Sequence, residues 1–173
     1  MSLSPQQNLF GRFAADLPAG RVEWIGLRPA RLAPVERVAE AQAVAGLGLV
    51  GDRRMDGSVG SARQVTFISA EHIAVVASLL GFDRIDPARL RRNVVISGVN
   101  INALRHQQFR IGEAVFLATA ACHPCSRMDK ALGQGGHAAM LGHGGLCAKI
   151  LRSGRFSVGD EVICLQEGER LPE

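Results

Sequence analysis

At 173 residues, with 47% apolar and 21% charged side chains, the chain has the length and composition of one globular domain with its own core, which excludes disordered and fibrous classes. Its net charge of +4 rests on 18 Arg and two Lys, Lys130 and Lys149. Arg favours an anionic ligand, although a compositional bias toward Arg, Ala and Gly explains the excess equally well; the arginines are scattered and Tyr is absent, so nucleic acid is not the expected partner.

In chain order, residues 1–20 mix Gln, Asn, Pro and Gly without a sustained period and are read as a loose N-terminal arm; they also lack the apolar core of a signal peptide. No apolar run reaches the length of a membrane helix, so a cytoplasmic location without membrane contact is expected, with reduced cysteines. The main domain is expected over 21–166, with a tail over 167–173. Short apolar runs predict strands at Val22–Leu27, Val35–Val44, Gln64–Ile68, Asn93–Ser97, Phe109–Ile111, Ala114–Thr119, Phe156–Val158 and Val162–Leu165. Gly112-Glu113 and Gly159-Asp160 each sit between apolar runs and predict two antiparallel hairpins. Ser69 caps a predicted helix whose Ile73, Val76, Ala77 and Leu80 form one stripe before Gly81. A turn is expected at Asp86-Pro87, and further helices over Ser126–Leu132 and Leu146–Arg152. The expected fold is mainly β, a barrel or sandwich with a few short helices.

The densest reactive cluster is Cys122-His123-Pro124-Cys125-Ser126-Arg127, between a predicted strand and a predicted helix. At a helix start, with Arg127 close by, the Cys125 thiol meets a positive environment that favours its thiolate. A Cys-x-x-Cys pair also fits half a zinc site, to which Cys147 with His143 or His137 could add ligands, although the spacing is not a standard one. A thioredoxin-like site would want a later proline, and the one that follows Cys125 is Pro172, in the tail. Arg91-Arg92-Asn93, ahead of Val94-Val95-Ile96, forms either an anion grip at a strand entrance or a solvated helix end. Asp52 and Arg53 follow a glycine-rich stretch that lacks a nucleotide-binding spacing, and Arg63-Gln64 opens a strand. His137 and His143 lie among glycines 133–145, in a loop that either closes over a site or remains a polar surface.

Read together, Gly46–Arg53, Arg63–Ile68, Leu90–Gly98, Phe109–Ala114 and His123-Pro124-Cys125 resemble the successive motifs of the MOSC family, related to the C-terminal domain of molybdenum cofactor sulfurases. The resemblance spans about Val22 to Leu165. It implies a β-barrel and either binding of the pterin-based molybdenum cofactor (molybdopterin) or a role in moving sulfur. On this resemblance Cys125 corresponds to the family's essential cysteine and, through the cofactor, to the molybdenum ligand. Arg91 and Asn93 correspond to the phosphate and pterin grip, with Asp52, Arg53, Arg63 and Arg127 nearby and Cys122, His123 and His143 as accessory groups. Pro124 stands where reductases of N-hydroxylated compounds in this family usually carry Arg.

Three functions are therefore expected of the chain. The first is a molybdenum-dependent oxidoreductase that acts on N-oxygenated small molecules with an external electron-donor protein. The second is a sulfur carrier that forms a persulfide on Cys125, fed by a separate cysteine desulfurase that would hold the pyridoxal phosphate. The third is a cofactor- or metal-binding module without turnover.

Overall fold

Strand β1 (Gly20–Leu27) starts with alternating buried and exposed residues; Val22 and Ile25 face the barrel interior and Trp24 is buried on the other face. In β5 (Val65–Ser69), β6 (Val94–Ser97), β7 (Gln108–Ile111), β8 (Ala114–Ala121) and β9 (Leu146–Arg152) consecutive residues are buried, as in strands covered on both faces, whereas β11 (Glu161–Cys164) buries Val162 and leaves Glu161 exposed. Hydrogen bonding runs in the order β11-β7-β8-β9-β5-β6-β1, and β11 pairs back onto β1, so these strands close a barrel. The computed structural model describes residues 5–172; 1–4, the start of the expected arm, and 173, the end of the expected tail, lie outside the described residues.

The barrel is mainly β, as expected. All its pairings are antiparallel except β5 with β6. A parallel pair needs a crossover, and here it consists of α2 (Ala70–Leu80) and α3 (Pro87–Leu90). Ser69 caps α2 by accepting from the His72 N–H at 3.2 Å, and Gly81 ends it at φ 71°. Asp86 caps α3 with Pro87 in its first turn. Strand β2 (Glu36–Val38) lies on the edge of β1, while β3 (Glu40–Val44), β4 (Gly48–Leu49) and β10 (Gly154–Ser157) form a separate small sheet. Inside the barrel Phe67, Phe109, Phe116 and Phe156 interlock at ring-centroid distances of 5.2–5.6 Å. Each such pair contributes about 0.5–1.5 kcal/mol beyond burial. A second core, outside the barrel wall, packs α2, α3, α4 (Arg127–Leu132) and α5 (Gly136–Met140) against Trp24, Ile68 and Val95.

Several sequence expectations need correction. Leu146–Arg152, expected as a helix, is strand β9, paired with β5 on one side and β8 on the other. Its Leu, Ala, Lys and Arg favour helix only weakly, and Leu146, Ala148 and Ile150 point into the barrel with period two. The turn at Gly159 does not form a hairpin, because β10 pairs with β3 whereas β11 pairs with β7 and β1. That turn hands the chain from the small sheet to the barrel. The Gly112 turn does join β7 to β8. The run Val35–Val44 breaks at Ala39 into β2 and β3. Within the expected arm, Pro5–Ala14 forms α1, whose Phe10 ring meets His106 edge-on at 6.2 Å and whose Ala14 is buried. The tail is tied down as well: Gln108 exchanges hydrogen bonds with both backbone groups of Leu171, and Arg170 donates to Gln107 at 2.6 Å. Finally, the glycine and histidine segment 133–145 contains α5.

Candidate functional site

Where β1 ends and β6 begins, polar side chains replace the apolar alternation. Arg28, just beyond β1, donates from Nε and Nη2 to the two oxygens of Asp52 at 2.9 and 3.0 Å. Asp52 caps the short 3-10 turn Arg53–Asp56 by accepting from the Arg54 N–H. Asn93, 0% exposed, accepts from Arg28 Nη2 at 2.9 Å and donates from Nδ2 to Asp52 at 2.8 Å and to the Gly26 carbonyl at 3.0 Å. Its Oδ1 also accepts from the Thr66 N–H and hydroxyl at 3.1 Å. Burial pushes the Asp52 carboxyl pKa up, but the hydrogen bonds and charge of Arg28 outweigh it and leave the pKa below its ordinary value.

This network neutralises Arg28 and uses both ends of the Asn93 amide, so Asn93 braces the site from inside. Around it stand cations without such a partner. Burial, with repulsion from Arg28, Arg54 and Arg127, lowers the pKa of Arg53 against the pull of Asp52; burial, with repulsion from Arg28, Arg53 and Arg127, lowers that of Arg91 against the same carboxylate. Contacts of Arg28 with the backbone of both bring Arg53 and Arg91 into one region, the Arg53 N–H donating to the Arg28 carbonyl at 2.8 Å and Arg28 Nη1 to the Arg91 carbonyl at 3.5 Å, and the charge of Arg127 acts on both. Arg91, held at φ 56° where α3 ends, donates to the Ala33 carbonyl at 2.7 Å. Arg53 Nε is buried without a hydrogen-bond partner. Among the described residues the ion pairs are Arg28–Asp52 and the exposed Arg155–Glu40, so Arg53, Arg91 and Arg127 have no carboxylate at ion-pair distance. Concentrated like charge with an unused buried donor is an anion-binding arrangement.

The loop after β8 carries Cys125, exposed, two residues before Arg127 and the start of α4. Its carbonyl accepts from the Met128 N–H at 2.9 Å. Arg127, exposed at the start of α4, acts through its charge on Arg53 and Arg91. His123 is exposed in the same loop. Cys122 is half-buried, and a hydrogen bond from Cys147, opposed by burial and assisted by Arg92, Arg63 and Arg28, lowers its thiol pKa to about 6. The same hydrogen bond and burial push the Cys147 thiol pKa up. Arg63 thus acts on this cysteine pair, while its side chain is exposed.

His143 pairs with another histidine. Its ring meets His72 of α2 edge-on at 4.9 Å, and burial followed by the charge of His143 lowers the His72 pKa against the smaller pull of Glu71. Among the described residues no three His, Cys, Asp or Glu side chains gather as metal ligands, which leaves the zinc alternative without a ligand set. No helix among them is long and apolar enough to cross a membrane.

The structure therefore gathers Asp52, Arg53, Arg91, Asn93 and Arg127, with Cys125 on the adjoining loop. Sequence reasoning missed Arg28, whose signal was a charge placed at the end of an apolar run and followed by Pro29. It also missed the pairing of His72 with His143 and that of Cys122 with Cys147.

Comparison with known proteins bears on the fold and the family. The family model described as MOSC domain matches residues 54–163. No curated protein matches the chain. Among solved structures, the YUAD protein from Bacillus subtilis is similar at 20% identity and a TM-score of 0.72, over 85% of this chain and 96% of that one. YiiM from Escherichia coli matches at 19% identity and a TM-score of 0.64, over 88% of this chain and 72% of that one. YiiM from Geobacillus stearothermophilus matches at 15% identity and a TM-score of 0.67, over 86% and 76%. These likenesses show the shared barrel.

Proposed function

The chain belongs to the MOSC domain family, and from that premise we propose that it holds the pterin-based molybdenum cofactor and reduces N-oxygenated small molecules with electrons from a separate donor protein. The observation that carries this reading is the surplus of positive charge. Arg53, Arg91 and Arg127 outnumber the one carboxylate that acts on them, Asp52, which Arg28 already pairs, and the buried Arg53 Nε has no partner. A cofactor phosphate fits such a donor set, because guanidinium groups grip phosphate oxygens in pairs.

Each residue then has a physical task. Arg53, Arg91 and Arg127 bind the phosphate. Arg28, already neutralised by Asp52, positions the turn that carries Arg53, since the Arg53 N–H donates to the Arg28 carbonyl at 2.8 Å. Asn93 locks Arg28 to Asp52 and to the floor strands. Cys125, exposed beside Arg127, offers sulfur, a soft donor suited to molybdenum. When bound, the cofactor would supply the two-electron chemistry that N–O reduction needs.

An amidoxime supplied with a chemical reductant tests the reading on cofactor-loaded protein. Wild type is expected to form the amidine. Cys125→Ala is expected to lose turnover, and Arg53→Ala to weaken cofactor retention about tenfold or more, as befits a lost hydrogen bond to a charged group. Turnover unchanged in Cys125→Ala would overturn the proposal.

A further inference from the structure

Behind Cys125 lies a pair of thiols that the cofactor reading does not use. The Cys122 N–H donates to the Gly145 carbonyl at 2.7 Å, which extends the β8–β9 ladder past the pairs Ala121–Leu146 and Ala120–Cys147. Cys122 and Cys147 are thus diagonal neighbours on one face of the two strands, and their sulfurs share a hydrogen bond. Gly144 makes the approach possible, since a Cβ there would collide with the Cys122 carbonyl oxygen.

A buried cation faces this pair. Arg92, 8% exposed, donates from Nε to the Gly144 carbonyl at 2.8 Å and from Nη1 to Leu90 at 2.9 Å, while its Nη2 is buried without a partner. No carboxylate pairs with it among the described residues. Its charge and that of Arg63 act on both sulfurs. Cys122 is the more exposed of the two sulfurs, and the free guanidinium N–H suits a reagent that expels an anionic oxygen.

We propose that Cys122 and Cys147 form a second reactive centre, in which Cys122 attacks hydrogen peroxide and Cys147 closes a disulfide between them. In the first step the Cys122 thiolate sulfur bonds to one peroxide oxygen as the O–O bond breaks. Hydroxide departs with the electron pair and takes a proton to become water, and the Cys122 sulfur, oxidised by two electrons, becomes a sulfenic acid. In the second step the Cys147 sulfur attacks that sulfur, the S–O bond breaks, and hydroxide leaves with the Cys147 proton as a second water. In total, two thiols and one peroxide give one disulfide and two waters. A dithiol reductant restores the pair. The inference is independent of the cofactor.

The test uses the full reduced chain without cofactor, treated with hydrogen peroxide, alkylated and read by peptide mass spectrometry. The expected product is a peptide pair linked through Cys122 and Cys147. In Cys147→Ser the expected product is a sulfenic acid on Cys122, trapped by a dimedone probe; in wild type the rate of disulfide formation should fall off below pH about 6, where the Cys122 thiolate is lost. A link from Cys122 to Cys125, oxidation confined to Cys125, or peroxide-treated protein with Cys122 and Cys147 still free would each overturn the proposal.

Discussion

Asp52 is the residue on which the site's order depends most. It accepts from the Arg28 side chain, the Arg28 backbone, Asn93 and Arg54. Asp52→Ala leaves a buried guanidinium without its counter-charge, and the expected loss of stability, read by urea unfolding at pH 7, is about 3–5 kcal/mol. His72 gives a stability effect of the opposite chemical type. Its pKa in the fold lies below its ordinary 6.5, so the unfolded chain binds the proton more readily and stability falls as pH drops below about 6.5. Unfolding midpoints measured between pH 7.5 and 5 should show that decline in wild type and a shallower one in His72→Gln. Sequence exposed the identity of these residues but not their partners. Asn93 stood out as polar at the head of an apolar run, yet only the fold shows that Arg28, Asp52, Thr66 and Gly26 consume its amide. Cys125 was legible because a reactive cluster between two elements is a local pattern.

Element boundaries were legible wherever one local signal dominated. Ser69 and Gly81 bound α2, Asp86-Pro87 opens α3, and Gly112 turns β7 into β8, each through side-chain capping or a positive φ. Strand β9 was not, because its residues tolerate helix and its pairing with β5 and β8 is decided by chain segments far away in sequence. Gly145 marks its entry. It sits at φ 87°, and a Cβ there would collide with the Phe67 carbonyl. Gly145→Ala should therefore destabilise by more than about 1 kcal/mol. Gly60→Ala, also at positive φ but with nothing within 4 Å, should cost less. Chemical denaturation of the two variants side by side checks the contrast.

At the scale of the molecule, the barrel brings together groups that the chain keeps apart. Arg28 meets Asp52 across 24 positions and Asn93 across 65. No window of sequence shows such a meeting, so only the strand order, closed by β1 on β11, defines the site. The overall class was legible because many short alternating runs leave few architectures open; the transfer of the chain at Gly159 from the small sheet to the barrel was not, since a turn motif does not say which strands it joins. The central claim is that the arginine cluster and Cys125 form one cofactor site. The measurement that tests it most directly is the molybdenum and pterin content of protein purified anaerobically from a host that makes the cofactor, for wild type and Cys125→Ala. The account predicts one molybdenum and one pterin per wild-type chain, with molybdenum lost in the variant; wild-type protein free of both, or a variant that keeps its molybdenum, would contradict it.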